Sequence, residues 1–533
     1  ERIEVIRGPG ATIWGVNAVN GVINIITKSA RETQGGMLQA SYGSRGGPQS
    51  TLSFGGPAGD GHYRVWGRYQ DRRASPTLPG LASAMDPLEN LRGGFRYDVQ
   101  LSSRDELSID ADLQRNEGRQ GLISVRAQPP VQTLAATPMK SSSGHLLGRW
   151  KRNFSERSDL TLQAYYDHME RDELVLNDFS SDTVDLELRH RYEHSSRAEL
   201  IWGLELREVR AKLNEGRVVR SPKRSDRLHF FSAFFQEELA LRPDELLLTV
   251  GAKLEESTLG GFQPQPSARL LWTPNTETAL WGSVAQAVRT PSWGERNAAF
   301  EAAGLEGPLG LTIIAAIMPS PNLGNEKLTA YETGFRFRPA PIVSLDLAAF
   351  YNRYRDLRSF GLGGDFELRS DPVRHLYLPD GFANNNSGDS YGVELGSKWR
   401  LRDGWRLTAN HSYIKIRFHP GQTQLFEQFE HLQSPTHRTS ALSSWDLRRN
   451  MQLDVAAYYM GRALAGGFVR RGEWIPASVR GDVRWQWKPK GSPRIELGVQ
   501  NLFDGDRIEY EAETFIQGAP VGRNVYGRVT WSF

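Results

Sequence analysis

Short alternating β-strands, joined by turns that are alternately short and long, run through almost the whole chain. We count 22 candidate strands between Gly36 and Phe533. The last of them, residues 523–533, is apolar on one face and polar on the other. Its apolar face carries Val525, Gly527, Val529, Trp531 and Phe533. Because lipid offers no water to an open sheet edge, a sheet of this kind must close on itself. The pattern predicts an all-β fold, a 22-stranded antiparallel transmembrane β-barrel.

Composition agrees with a barrel and argues against a helical membrane protein. Charged residues make up 24% of the 533 residues, the mean hydropathy is −0.50, and no run of 18 apolar residues occurs. The 14 Trp, 17 Tyr and 23 Phe suit aromatic girdles at two membrane interfaces. A large soluble all-β protein is the alternative, but the alternation of short and long connections disfavours it.

Several classes of function are excluded by what the sequence lacks. There is no cysteine, which removes disulfides, zinc-thiolate sites and thiol nucleophiles. The net charge of +3 is too small to indicate a nucleic-acid partner. No GxSxG, HExxH or P-loop pattern is present. We therefore predict no enzyme activity, no catalytic residues, no metal site and no cofactor.

Residues 1–30 differ from the rest of the chain. A strand at 3–6 ends in the turn Gly8-Pro9-Gly10, a stretch of small residues follows, and a second strand covers 22–26. This pattern predicts a compact hairpin-like piece of a small domain. The chain begins at Glu1 inside a patterned segment, so we expect it to be a fragment whose N-terminal part is missing.

The string from Glu1 to Lys28 resembles the end of the plug domain of TonB-dependent outer-membrane receptors, which typically reads VERIEVIRGP-x-x-x-LYG-x-x-A-x-x-GVINIITK. Ile13-Trp14 stands where the family has Leu-Tyr. Residues 498–504, GVQNLFD, resemble an element before the last strand, and the final Phe533 matches the aromatic end of family barrels. Residues 289–291 and 321–334 resemble a mid-barrel block. The resemblance covers the whole chain and implies two parts: the end of the plug at 1–30 and the barrel at 31–533.

The resemblance also implies a function. Such receptors sit in the outer membrane of Gram-negative bacteria and import a scarce ligand, energised by TonB acting on the plug. A ferric siderophore is the expected ligand, and cobalamin or another nutrient is the alternative within the family. Outer-membrane lipid and lipopolysaccharide are the other expected partners, and a monomer is the expected state. A passive porin is disfavoured by the plug remnant, and an adhesive or enzymatic barrel by the missing catalytic set.

A lock between plug and barrel is implied by three residues. Family plug arginines near the RGP turn pair with two barrel glutamates, in YExG and GVExG contexts. The matching residues here are Arg7, Glu332 and Glu394. Buried charges need partners, and arginine engages carboxylates bidentately, so such a cluster can hold the plug and release it under force. Ordinary solvated lumen residues are the alternative interpretation.

Ligand contacts are expected where arginines and aromatic residues share the large loops. Arg beside aromatic rings suits an anionic, aromatic ferric chelate, through charge and cation–π contact. The alternative is an interface girdle with cations facing lipopolysaccharide. The candidates for ligand contact are Arg289, Trp293, Arg296, Tyr354, Arg355 and Trp474, with Arg358, Arg470 and Arg471 beside them.

Haem receptors of the family place a histidine between two sequence boxes of this region. No histidine lies between Arg289 and Leu323. His419, His431 and His437 lie in or beside another loop, where axial ligation of haem is open but isolated loop histidines are usually solvated.

Overall fold

The computed structural model describes residues 1–75, 85–173, 177–216, 219–361, 365–421, 432–465, 473–491, 493–503, 509 and 520–533. Strands dominate these residues, and the helices are single turns. The helices are α1 (Ala11–Trp14), α2 (Trp293–Asn297) and two 3₁₀ turns at Arg31–Thr33 and Pro308–Gly310. None of the helices in these residues is long and apolar enough to cross a membrane.

The predicted 22-stranded antiparallel barrel is confirmed. Its strands are β3 (Gly35–Gly43), β4 (Gly47–Ala58), β5 (Gly61–Arg72), β6 (Leu88–Gln100), β7 (Asp105–Val125), β8 (Gln132–Ser155), β9 (Ser158–Asp172), β10 (Asn177–Ser195), β11 (Ala198–Glu215), β13 (Ser225–Arg242), β14 (Leu246–Ser257), β15 (Gly261–Asn275), β16 (Thr278–Arg289), β19 (Glu326–Ala340), β20 (Val343–Gly361), β22 (His375–Arg402), β23 (Trp405–His419), β24 (His437–Arg448), β25 (Met451–Met460), β28 (Ser478–Trp487), β29 (Arg494–Gln500) and β30 (Asn524–Ser532). The first barrel strand closes on the last, with Met37 opposite Ser532 and Gly43 opposite Tyr526.

Eight further strands of the described residues lie outside this ring. They are β1 (Arg2–Arg7), β2 (Gly21–Ile26), β12 (Val219–Arg220), β17 (Ala299–Glu306), β18 (Thr312–Ile317), β21 (Glu367–Arg369), β26 (Ala463–Leu464) and β27 (Trp474–Ile475). β1 and β2 form the predicted hairpin, with Arg2 opposite Ile26 and Arg7 opposite Gly21.

Side chains alternate between lipid and lumen along each strand, as the sequence predicts. In β30, Val525, Val529 and Trp531 are exposed on the outer face, whereas Thr530 between them is buried. Charged pairs such as Arg207 with Asp185 lie on the inner face. The lumen tolerates these charges because they pair with one another there.

The two ends of the barrel differ in their connections, as predicted. One end carries tight turns, such as those at Gly59 and Gly404, whose positive φ of 58° and 76° suits glycine. The other end carries the long loops, with β16 and β19 separated by residues 290–325. In barrels of this type the tight turns face the periplasm and the long loops face outward.

Several segments that the sequence assigned to loops are strands in the structure. β7 and β8 continue through much of residues 116–143, and β12, β17, β18, β22 and β21 form a second sheet at the long-loop end. Ile314, Ala316 and Tyr377 form a buried cluster in this sheet. Apolar packing therefore orders backbone that lies beyond the barrel wall.

We expect two left-handed glycines to respond differently to the same substitution. A side chain at Gly47 (φ +66°) would overlap the backbone carbonyl of Asp71, whereas a Cβ at Gly59 (φ +58°) has open space. Gly59→Ala should lower the free energy of unfolding by about 1 kcal/mol through backbone strain alone. Gly47→Ala should cost roughly 1–3 kcal/mol more, because β5 must also shift. Urea unfolding of the barrel in lipid vesicles measures both, and equal losses would contradict the expectation.

Candidate functional site

The hairpin β1–β2 and helix α1 lie inside the barrel, against the inner face of its wall. Two of their contact regions with the wall lie on different strands. The tip of the hairpin meets β19 and β22, and the segment that follows meets β14, β15 and β16. These two contact regions hold the residues on which a movable plug would depend.

The first region brings together the predicted lock residues. The Arg7 guanidinium, at the end of β1, donates a hydrogen bond to Glu394 Oε2. Glu332 takes a different position: its carboxylate lies against Gly8, where any side chain would overlap it, and accepts a hydrogen bond from Ser283 Oγ at 3.4 Å. The structure therefore gives one ion pair and one carboxylate packed on the turn.

The second region is held by backbone atoms as well as side chains. The amide of Asn17 donates to Val288 O at 2.7 Å, and the amide of Thr290 donates to Asn17 Oδ1 at 3.1 Å. Asn17 Nδ2 also donates to Thr290 Oγ1 at 3.3 Å. Asn17 has a φ of 70°, which asparagine tolerates better than most residues. We call this contact the Asn17 anchor. Nothing in the sequence indicated it.

Buried charges line the wall beneath the Asn17 anchor. Lys253 is 3% exposed and donates to Glu205 Oε2 at 2.9 Å. Glu255 is 6% exposed and accepts from the amide of Val16 at 3.3 Å. A side chain at Gly15 (φ +79°) would come within 2.8 Å of Glu255 Oε2, so only glycine lets the segment approach this closely. Glu255 is therefore a lumen charge that contacts the segment after α1.

A cavity of about 2190 Å³ lies beside the hairpin, inside the barrel. It extends from Pro339, at the tight-turn end, to Phe418, near the long loops. Its wall includes Arg7, Glu332 and Glu394. The lock residues therefore border the open path along the lumen.

At the long-loop end, Glu295 joins three chain segments. Its Oε1 accepts from Arg289 at 2.7 Å and from Arg358 at 2.6 Å, and its Oε2 accepts from the amide of Ser292 at 2.7 Å. Burial of the carboxyl acts to raise the pKa of Glu295, but these three donors outweigh burial and lower it to about 2. Glu326 accepts a further bond from Arg289, at 3.0 Å. We call this set the Glu295 network.

The Glu295 network shows what the predicted ligand residues of this loop contact. Arg289 and Arg358 bind carboxylates of the protein itself. Trp293 Nε1 donates to Asp226 at 3.0 Å, and Arg296 donates twice to the carbonyl of Leu323. These contacts hold the loop, and ligand roles for these residues stay a prediction. The pattern Ser292-x-x-Glu295 is a capping-box signal that sequence reasoning passed over.

The other predicted ligand residues lie apart from one another. Tyr354 faces the lumen and packs on the buried cluster Ala287, Leu328 and Ala330. Arg355 lies opposite Lys327 on the outer face of the wall. Trp474 is 46% exposed, with the Arg462 guanidinium 4.5 Å from its ring centre. Arg470 and Arg471 lie outside the described residues. A similar pair, Arg369 over Tyr377, was missed by sequence reasoning.

Two of the three loop histidines lie in the described residues, and both contact protein side chains. His419 Nε2 lies 3.1 Å from Asp389, and His437 packs on Tyr413, with ring centres 5.1 Å apart. His431 lies outside the described residues. No group of three or more His, Cys, Asp or Glu side chains in the described part of the chain is arranged to hold a metal ion.

We expect the Glu295 network to resist acid until well below pH 4. Because the folded pKa of about 2 lies below the ordinary value of 4.5, its stabilisation is present above pH 4.5 and is lost as the pH falls toward 2. The shift corresponds to about 3 kcal/mol. Glu295→Gln should remove that protection at pH 7. The rate of hydrogen exchange at residues 290–298 measures this loss of protection.

The exposed Glu306, in the same loop, supplies the control for this prediction. Glu306→Gln changes the charge by the same amount and should leave exchange at 290–298 unchanged. Equal protection in Glu295→Gln and the parent protein would contradict the role of the network.

The family described as TonB dependent receptor-like, beta-barrel matches residues 31–502. The iron-regulated outer membrane virulence protein of Vibrio cholerae is 23% identical over 541 residues, covering 97% of this chain and 78% of that protein. The pesticin receptor of Yersinia pestis is 25% identical over 455 residues, covering 78% of this chain and 63% of that protein.

Solved structures show the same fold. A mutant of the ferric enterobactin receptor of Pseudomonas aeruginosa superposes with a TM-score of 0.80 at 16% identity, covering 100% of this chain and 85% of that one. The ferric yersiniabactin uptake receptor of Yersinia pestis superposes with a TM-score of 0.75 at 17% identity, covering 100% of this chain and 85% of that one. The family match spans most of the barrel, and the chain belongs to the TonB-dependent receptors of the outer membrane.

Proposed function

We propose that this receptor takes up a ferric siderophore across the outer membrane, driven by TonB. The observation that carries the proposal is the agreement among relatives of nearly full coverage. They are named as iron-regulated or siderophore receptors in both the sequence and the structure comparisons. A vitamin B12 transporter of Vibrio vulnificus matches only 44 residues, 8% of the chain, and supports cobalamin much less.

Arginine–aromatic pairs near the long loops fit such a ligand. Arg462 lies over Trp474, and Arg369 lies over Tyr377 at 3.3 Å from the ring centre. A guanidinium on an aromatic ring presents charge and a flat surface together, which suits an anionic chelate with aromatic groups. The Arg462–Trp474 pair is our candidate for ligand contact, because Trp474 is 46% exposed whereas Tyr377 is buried.

We assign residues 1–30 to the end of the plug domain and residues 31–533 to the barrel. The Arg7–Glu394 pair is the part of the lock that TonB-driven force would open. Arg7 is 65% exposed and Glu394 25%, so water can replace each partner when the pair separates. The Asn17 anchor, with three hydrogen bonds to the wall, is harder to open.

Uptake of iron-55-loaded siderophores by cells carrying the gene tests the proposal directly. We expect uptake that collapses when a protonophore removes the inner-membrane proton gradient, because TonB draws on that gradient. Cells without the gene are the control.

Two other outcomes would contradict parts of the proposal. If no ferric chelate enters, the siderophore assignment fails, and labelled cobalamin is the next ligand to test. If uptake ignores the protonophore, the barrel acts as a passive channel and TonB has no part.

A double-mutant cycle tests the lock. Arg7→Ala and Glu394→Ala should each speed hydrogen exchange in residues 2–7, and the double variant should add little to either. The expected coupling is about 1 kcal/mol, because the pair is partly exposed. Leakage of small solutes into cells should rise in parallel.

Arg2→Ala is the matched control, since Arg2 bonds only to Glu1 and Glu4 on its own hairpin among the described contacts. It should show no coupling with Glu394→Ala. Additive effects of Arg7→Ala and Glu394→Ala would remove the lock assignment while leaving the uptake proposal intact.

A further inference from the structure

The cavity beside the hairpin is lined by cations where it nears the tight turns. They are Arg336 and Arg338 of β19, Lys398 and Arg400 of β22, and Arg406 of β23. All five side chains are exposed to solvent. We call these five residues the basic mouth, because they border the cavity at the end that the tight turns close.

The cations of β22 point into the lumen and not toward lipid. Lys398 and Arg400 lie an even number of residues from Glu394, whose carboxylate faces the hairpin, so the three side chains share the inner face. Residues of the other parity, such as Leu395 and Leu401, are apolar and are 45% and 46% exposed on the outer face. The barrel wall therefore separates these two cations from lipid headgroups.

Two cations of the basic mouth have a carboxylate partner. Arg336 pairs with Asp346 at 2.6 Å, and Arg406 pairs with Asp446 at 2.8 Å. The other three have no carboxylate within 4.0 Å in the part of the chain that the structure describes. Glu277, just before β16, also borders the cavity. These three carboxylates face five cations, so positive charge is in excess at the basic mouth.

Elsewhere on the inner face, the charges near the tight turns balance. Arg191 of β10 pairs with Asp159 at 2.6 Å and with Glu199 at 3.0 Å. Lys151 of β8 lies 3.8 Å from the same Asp159. The excess of cations at the basic mouth is therefore a local feature of β19, β22 and β23.

The lock carboxylates and the basic mouth follow one another along the lumen. Lys398 lies four residues beyond Glu394 on β22, and Arg336 lies four residues beyond Glu332 on β19. Four residues of an antiparallel strand span roughly 13 Å. An anion that has passed the two glutamates therefore meets the cations of the basic mouth next.

We propose that the basic mouth is an exit site, which binds the anionic metal chelate on the periplasmic side of the lock before the chelate leaves the barrel. Iron(III) held by three doubly charged bidentate oxygen ligands carries a charge of −3. Guanidinium groups donate in pairs to such oxygens, and the lysine adds a point charge. A concave site between low-dielectric walls concentrates the field of these cations.

The size of the cavity agrees with this role. Sites for small molecules usually occupy about 300–1,000 Å³, and the cavity of about 2190 Å³ admits a chelate together with its water. The exit site rests on the proposed function for the nature of its ligand. It rests on the tight turns facing the periplasm for its side of the membrane.

An electron paramagnetic resonance experiment on the purified full-length receptor in detergent tests the exit site. A nitroxide is attached at Ile342→Cys, because Ile342 is 58% exposed and borders the cavity. Power saturation measures its collisions with tris(oxalato)chromate(III), an inert octahedral chelate of charge −3, and with the neutral nickel(II) ethylenediaminediacetate. We expect the chromium-to-nickel collision ratio to be at least about fivefold higher than at Ser196→Cys, on a tight turn in the balanced region.

Two triple variants separate the basic mouth from general surface charge. Arg338→Gln, Lys398→Gln, Arg400→Gln should lower the collision ratio at position 342 to the value that the parent protein shows at position 196. The matched control, Arg157→Gln, Arg197→Gln, Arg242→Gln, removes three exposed cations from other tight turns. It should keep the ratio at position 342 within about twofold. Heat-dependent gel mobility verifies that each barrel is folded.

A collision ratio at position 342 no higher than at position 196 would overturn the exit site, and so would equal losses in the two triple variants. Neither probe contains iron or a siderophore, so an error in the siderophore assignment leaves this result unchanged. Conversely, a negative result at the basic mouth leaves the uptake proposal intact, because uptake is measured in cells with iron-55.

Discussion

Closure of the sheet is the constraint on which the rest of the structure depends. In lipid every backbone amide and carbonyl of the wall needs a partner, and the pairing of β3 with β30 supplies the last of them. Closure fixes the register, and register decides which side chains meet inside and which face lipid. The Arg7–Glu394 pair and the Asn17 anchor both depend on that one geometric condition.

Strand periodicity was enough to predict the barrel and its strand number, because alternate residues stay apolar even where half of a strand is polar. The alternation of short and long connections predicted its two unlike ends. The pairing of Arg7 with Glu394 followed from motif resemblance. The packing of the Glu332 carboxylate on Gly8 did not follow from that resemblance, because the spacing of motifs does not show which residues lie close in space. Arg355 lies opposite Lys327 in the register, and its ligand role stays a prediction.

Loops were the least predictable part, for a physical reason. The run Thr312–Ile317 forms a strand because β17 and β22 lie on either side of it, and neither neighbour is close in sequence. The Glu295 network likewise joins residues 63 positions apart, from Glu295 to Arg358. Local signals such as the capping box at Ser292 locate a helix start, but they do not say what the helix packs against.

The Asn17 anchor and the Glu295 network share a short stretch of backbone. Val288 and Thr290 bond to Asn17 from inside the barrel, and Arg289 between them bonds to Glu295 among the outer loops. Asn17 therefore moves away from the wall only if its hydrogen bonds break or if residues 288–290, where the loop 290–325 begins, move with it. Residues 288–290 therefore connect the segment inside the barrel to the long loop that follows β16.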